Sequence, residues 1–254
     1  MDADQNRLEF KFLLPAGILD SVRSQVADQL EADRDTVDGY QVRSDYFDSE
    51  DRDSYWQKVL SKPNRRRIRT RTYVDPSGKL TPVHFIEIKH KLSGQAVKRR
   101  MEVDEPALQG FLRGEIPTFA EAGDDRFRDE LVALMKDPEQ KPVVRIQYHR
   151  WAYDSGPEGT IRITFDHPVR CMFPDYASGE ESEPDLELLE PGEAIMEVKT
   201  IGSVPYWFRE LIGKHSLSPR GFSKFATALD RYEMQRSDTH ESGHPIHRSR
   251  FAEC

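Results

Sequence analysis

Hydrophobic and charged residues alternate with a period of two through many short stretches of this chain. In RLEFKFLL, Arg7, Glu9 and Lys11 alternate with Leu8, Phe10 and Phe12. HFIEIKHK sets Glu87, Lys89 and Lys91 opposite Ile86 and Ile88, and VKRRMEVDE groups Lys98, Arg100, Glu102 and Asp104 away from Met101 and Val103. TIRITFD places Arg162, Thr164 and Asp166 against Ile161, Ile163 and Phe165, while AIMEVKTI places Glu197 and Lys199 against Met196 and Val198. Successive side chains of a strand point to opposite faces, so each stretch predicts a strand with one charged and one apolar face. YQVRSDYFD and VVRIQYHRWAYD also read as extended, with less regular alternation. Together they predict an antiparallel β protein.

Helical spacing separates some of these strands. PAGILDSVRSQVADQL opens with Pro15 and carries Ile18, Leu19, Val22, Val26 and Leu30 on one stripe. DDRFRDELVALMKD, VPYWFRELIGKH and FSKFATALDRYEMQ read as helices too. The apolar faces of the strands give them a surface to pack on.

RRRIRTRTY puts five arginines into positions 65 to 71 of a chain whose formal net charge is -8. In a strand, Arg65, Arg67, Arg69 and Arg71 share one face, and Arg66, Ile68, Thr70 and Thr72 take the other. An open sheet with this face in water is one arrangement. About eight such strands are also enough to curl into a barrel, with helices outside and the charged faces lining the inside. The expected fold is therefore α+β, mainly antiparallel β: an eight-stranded closed tunnel barrel with helices packed on the outside. Unpaired enclosed cations are costly, so such a lumen calls for anions, and the planar fork of arginine suits phosphate oxygens.

The 254 residues are 37% hydrophobic and 32% charged, which fits a globular chain. Residues 1–235 are expected to form the tunnel domain and 236–254 a flexible polar tail, where His240, His244 and His247 have no framework to order a metal. The acid-rich stretch 175–193 reads as a surface loop. Cys171 and Cys254 suggest neither a disulfide framework nor a zinc site. No apolar run approaches the roughly 20 residues that span a bilayer, and MDADQNRLEF has no apolar signal region, so a soluble, cytoplasmic protein without a membrane segment is expected. GxxxxGK[ST], GxGxxG and GxSxG patterns are absent, and His84, His90 and His149 lie in strand-like stretches without HExxH spacing. The acidic balance argues against a nucleic-acid partner.

The ordered series LEFKFLL, YQVRSDYFD, RRRIRTRTY, FIEIKHK, VKRR, YHRWAY, IRITFD, MEVK and GFSKF resembles the vacuolar transporter chaperone (VTC) domain. That domain belongs to the triphosphate tunnel metalloenzymes, which also include CYTH-type phosphatases and cyclases. The resemblance runs from about residue 7 to about residue 232. It implies a tunnel open at both ends and a metal-dependent polymerase that moves the γ-phosphate of ATP onto polyphosphate. Carried over, Arg69, Arg71, Lys89, Arg150 and Lys224 would be the catalytic phosphate-holding residues, assisted by Lys11 and Lys98. Tyr148 and Ser223 would add hydroxyl contacts, and Arg162 matches a tunnel arginine of the wider superfamily. Glu197 would hold Mn²⁺ or Mg²⁺, and Glu9 resembles a second metal-binding glutamate. Glu87, Glu102 and Asp166 read instead as charge partners of neighbouring cations. Gly221 departs from the pattern, which tends to have a lysine there, and an accompanying inositol-polyphosphate-binding domain is not expected. The implied ligands are ATP or another triphosphate and polyphosphate. Hydrolysis of tripolyphosphate or nucleoside triphosphates, and binding of polyphosphate without catalysis, are the alternative functions.

Overall fold

The alternating stretches form one antiparallel sheet in the computed structural model, which describes residues 7–33, 38–74, 80–93, 95–118, 125–155, 159–174 and 185–239. Eight main strands build it: β1 (Arg7–Leu14), β3 (Tyr40–Asp48), β4 (Arg65–Val74), β5 (Leu80–Leu92), β6 (Gln95–Val103), β7 (Lys141–Asp154), β8 (Ile161–Met172) and β10 (Ala194–Ile201). Their spatial order is β1-β10-β8-β7-β3-β4-β5-β6, and two-residue strands β2 (Glu31–Ala32) and β9 (Leu186–Glu187) join β7 and β8. β1 and β6 are the two edges. Among the described residues they do not pair, so the closed barrel expected from the sequence is here a curled sheet with two edges. Lys11 on β1 and Lys98 and Arg100 on β6 share the inward face, and closure would bring those like charges together. The curl is nonetheless deep: Lys89 on β5 lies in the fields of Glu9, Lys11 and Glu197 from β1 and β10.

Helices cover the convex side in two groups. Val22 and Val26 of α1 (Leu19–Ala27) and Phe208 and Leu211 of α5 (Tyr206–Lys214) pack on Phe12, Ile163, Phe165, Met196 and Val198. Leu108 and Phe111 of α3 (Glu105–Leu112), with Phe127, Leu131 and Met135 of α4 (Asp125–Lys136), cover Ile68, Ile86, Ile88 and Met101. These are the apolar faces read from the alternation, and their burial supplies the main driving force for the fold.

One helix breaks the expected arrangement. Phe225, Ala228 and Leu229 of α6 (Lys224–Thr239) pack on Val42, Tyr46, Ile146, Tyr148, Val169, Cys171 and Ile195, which lie on the concave face. At this end of the sheet β3, β7 and β8 carry apolar residues inward, so an apolar helix stripe has a seat there. A short α2 (Asp53–Val59) anchors it, because the Tyr55 hydroxyl donates to Asp230 at 2.5 Å. The Asp48 carboxylate in turn accepts the Ser54 and Tyr55 backbone N–H groups at the start of α2. α6 runs to Thr239; residues 240–254, with the three tail histidines, and the acidic segment 175–184 lie outside the described residues. His90 lies on the convex face beside Glu130, and Cys171 is a buried thiol that burial pushes up to about 12.

Candidate functional site

Strand register sets which side chains meet on the concave face. Arg67, Arg69 and Arg71 of β4 stand opposite Lys89, Glu87 and Phe85 of β5, which stand opposite Lys98, Arg100 and Glu102 of β6. On the other wing Lys11 opposes Glu197, Glu9 opposes Lys199, and Glu197 opposes Thr164. The period-2 rule therefore delivers the predicted charged face intact in β1, β4, β5, β6 and β10. In β7 a register shift between Tyr148 and Arg150 brings Arg150 level with Asp166 of β8.

Three carboxylates organise the cations. Glu87 is fully buried; Arg69 donates to its Oε2 through Nε at 2.7 Å and Nη2 at 2.6 Å, and Lys98 Nζ donates to Oε1 at 3.0 Å. Burial would raise the Glu87 carboxyl, but Arg69, Arg71 and Lys98 outweigh it and hold it at about 2. Asp166, also fully buried, accepts Arg150 Nε at 2.6 Å and Nη2 at 2.8 Å, and Lys224 Nζ at 2.6 Å. Burial again pushes upward, and Arg150 and Lys224 bring Asp166 below the usual carboxylate range. Glu197 lies between Lys199 at 3.0 Å and Lys11 at 3.6 Å, and Lys11 also reaches Glu9 at 3.2 Å. Against the burial cost, Lys199 and Lys11 keep Glu197 well below its ordinary value.

Two arginine–tyrosine pairs complete the centre. Arg71 Nη2 donates to the Tyr148 hydroxyl at 2.9 Å, and Arg69 Nη1 donates to the Tyr46 hydroxyl at 3.0 Å. Lys224 Nζ lies 4.5 Å from the Tyr148 ring centroid, a cation–π contact. The buried Nε of Arg71 has no hydrogen-bond partner, a donor left over for a ligand. Lys89 projects into the lumen, enclosed by the curled sheet, and among the described residues makes no ion pair. Burial, Lys11 and Arg69 press its ammonium down to about 8, despite Glu9 and Glu197.

Ten of the twelve residues singled out in the sequence thus share the concave face with inward contacts: Glu9, Lys11, Arg69, Arg71, Lys89, Lys98, Tyr148, Arg150, Glu197 and Lys224. Arg162 points inward as well but is engaged at the rim, by Asp33 and by Asp154 at 3.5 Å. Ser223 precedes α6, and its hydroxyl accepts the Ala226 N–H at 3.4 Å, so it caps its own helix. Tyr46 and Lys199 belong to the same constellation and were not singled out. For Lys199 the signal was available in the alternation of AIMEVKTI. For Tyr46 it was hidden because β3 turns its apolar Val42 and Tyr46 inward and its charged Arg43 and Asp45 to the other face, the reverse of the charged-inward strands. Among the described residues no group of three or more His, Cys, Asp and Glu side chains converges as a metal-binding cluster. The carboxylates available together are Glu9 and Glu197, diagonal neighbours on paired strands that share Lys11.

On this concave antiparallel sheet the cations exceed the carboxylates, and buried acids fix the arginines in place, which gives the face a positive potential. The chain belongs to the VTC domain family, whose model matches residues 6–232. Among curated proteins it is similar to vacuolar transporter chaperone complex subunit 4 of Trypanosoma cruzi, 27% identical over 223 residues. That alignment covers 75% of this chain and 28% of the relative, so the chain spans little more than a quarter of that protein's length. Solved structures with a similar outline include a Pyrococcus horikoshii protein, with a TM-score of 0.46 and 13% identity over 88% of this chain and 99% of that one. Another is a candidate adenylate cyclase of Bacillus halodurans, with a TM-score of 0.49 and 11% identity over 86% and 96%. Among the described residues no helix is long and apolar enough to cross a membrane.

Proposed function

We propose that the chain is a metal-dependent polyphosphate polymerase, which moves the terminal phosphoryl group of ATP onto the end of a linear phosphate chain. The observation that carries this reading is the surplus of positive charge on the concave face, with Lys89 unpaired and Arg71 Nε unsatisfied. A triphosphate supplies the missing negative charge and oxygen acceptors in one molecule. Membership of the VTC family and similarity to a vacuolar transporter chaperone subunit support the same reading.

Phosphoryl transfer asks the protein for position and for charge stabilisation. Arg69 and Arg150 each spend two N–H groups on a buried carboxylate, so their remaining donors are fixed in direction before any ligand arrives. Lys224 is held by Asp166 in the same way. Such donors stabilise charge developing on the transferred group without reorganising. The bond broken joins the γ-phosphorus to its bridging oxygen, and ADP leaves with that electron pair. The new bond runs from a terminal oxygen of the acceptor chain to the same phosphorus. Glu197 and Glu9 suit Mn²⁺ or Mg²⁺, which take one or two carboxylates beside phosphate oxygens and water, and the ion when bound would neutralise phosphate charge.

The test is incubation with ATP and Mn²⁺, followed by separation of the products by chain length. ADP together with phosphate chains longer than three units supports polymerisation. Orthophosphate as the sole product beside ADP makes the protein a hydrolase, and nucleotide binding without turnover makes it a binding module.

A further inference from the structure

The concave face carries a row of aromatic rings that begins at the margin of the apolar cluster seating α6. Tyr40 of β3, Tyr73 of β4 and Phe85 of β5 stand on adjacent strands, each only half buried. Tyr40 and Tyr73 have ring centroids 5.7 Å apart at 65°, and Tyr73 and Phe85 are 6.2 Å apart at 79°. The guanidinium of Arg100, from β6, lies 4.5 Å from the Phe85 centroid. Gly39, at φ +76°, lets β3 begin pressed against β7, since an added Cβ would stand 2.5 Å from the Arg150 carbonyl oxygen. Tyr40 is thereby set in register with Arg150.

Cross-strand aromatic pairs stabilise sheets by themselves. Two features of this row exceed that role. The rings lie on the concave, charged side; Tyr40 and Tyr73 border the apolar cluster that seats α6 but stay half buried there, and Phe85 lies outside that cluster. They also adjoin the cations that would hold a triphosphate. Phe85 is the register partner of Arg71, and Tyr73 lies two residues beyond Arg71, about 7 Å along the strand. A flat heteroaromatic ring linked to phosphates through a sugar matches that layout.

We propose that Tyr40, Tyr73 and Phe85, whose rings stand at steep angles to their neighbours, form an aromatic platform that holds the base of a nucleoside triphosphate by face and edge contacts, with Arg100 over the Phe85 ring. The proposal rests on the triphosphate reading above and adds the part of the substrate that lies beyond the phosphates. Stacking reads the π-face of a base and not its edge, so the platform separates nucleotides from bare tripolyphosphate and discriminates weakly among bases.

The experiment measures dissociation constants of ATP and of tripolyphosphate for the wild-type chain and for Tyr73→Leu and Phe85→Leu, together with the proton NMR shifts of the adenine ring. Each substitution is expected to weaken ATP binding about tenfold while tripolyphosphate binding stays within about twofold, the range for loss of one stacked aromatic. The adenine H2 and H8 signals are expected to move upfield on the wild-type protein, a readout that needs no variant. Equal losses for both ligands, or unshifted adenine protons on a protein that binds both, would overturn the platform alone. A wild-type protein that binds neither ligand would overturn the triphosphate reading and the platform with it.

Discussion

The Tyr46 phenol oxygen accepts a hydrogen bond from Arg69 at 3.0 Å, and the two residues face each other in register across β3 and β4. The Tyr46 ring also stacks on Phe225, with centroids 5.4 Å apart at 27°. One side chain therefore ties a predicted phosphate-holding arginine to the helix that carries Lys224. Burial would raise the phenol, but Arg69, Arg71 and Lys224 outweigh it and bring it down to about 8. Tyr46→Phe keeps the stacking and removes only the acceptor, leaving one Arg69 donor undirected. Triphosphate affinity is expected to fall about fivefold, the worth of one hydrogen bond, with the fold unchanged. Calorimetry measures the affinity, and the ultraviolet tyrosinate signal near pH 8 should disappear in the variant. Unchanged affinity would confine Tyr46 to a packing role.

A second titration lies beside it. Lys89 binds an anion best when charged, and its ammonium is held at about 8 by burial and by Lys11 and Arg69. Triphosphate affinity should therefore decline as pH rises through about 8, while binding above that pH should take up protons. Tyr46 contributes in the same direction, because its phenolate adds negative charge to the lumen. Titration calorimetry in buffers of different ionisation enthalpy measures the uptake. Lys89→Met should remove part of it, and the double variant with Tyr46→Phe nearly all. The linked effect on stability has the opposite sense: the depressed lysine favours the folded state increasingly as pH climbs from about 8 toward its unfolded value of 10.5.

Alternation made the inward residues legible wherever a strand keeps strict period two, as Arg69, Lys89, Lys11 and Glu197 do. It failed where strands reverse the polarity of their faces. β3, β7 and β8 turn Val42, Tyr46, Ile146 and Val169 inward, so an apolar residue there does not mark the convex side. The helical spacing in FSKFATALDRYEMQ foretold an apolar stripe, yet nothing local says which sheet face receives it. That choice depends on the inward Val42, Ile146, Val169 and Ile195, residues from four strands far apart in the chain. Closure was illegible for a related reason. Among the described residues β1 and β6 stay unpaired edges, and nothing within either strand says whether it meets a partner or stands at an edge.

The buried acids make the site acid-labile. Glu87 titrates at about 2 in the fold against 4.5 ordinarily, and Asp166 is likewise lowered. A depressed carboxyl contributes stability that is present above its unfolded pKa and is lost as pH falls through the folded one. The urea midpoint should therefore be steady near neutrality and drop steeply between about pH 4.5 and 2. Glu87→Gln should lower stability at pH 7 by about 3 kcal/mol, because it leaves the largely buried Arg69 guanidinium with a neutral partner. It should also flatten the acid limb of the curve. An acid limb of unchanged steepness would show that other carboxylates govern it.

Glu197 separates binding from turnover. Its carboxylate is held by Lys199 and Lys11, and it is the acidic group that the family resemblance assigns to a divalent ion. Glu197→Gln keeps the shape, removes one negative charge and frees both lysines. Anion binding without metal should persist or tighten, since like-charge repulsion inside the lumen falls. Turnover with Mn²⁺ should drop by at least about 100-fold, as loss of a direct ligand costs no less than loss of an outer-shell partner. Measuring tripolyphosphate affinity without metal alongside turnover across a Mn²⁺ titration tells these apart. A variant that binds more tightly and turns over as before would move the ion to Glu9, whose own substitution should then carry the loss.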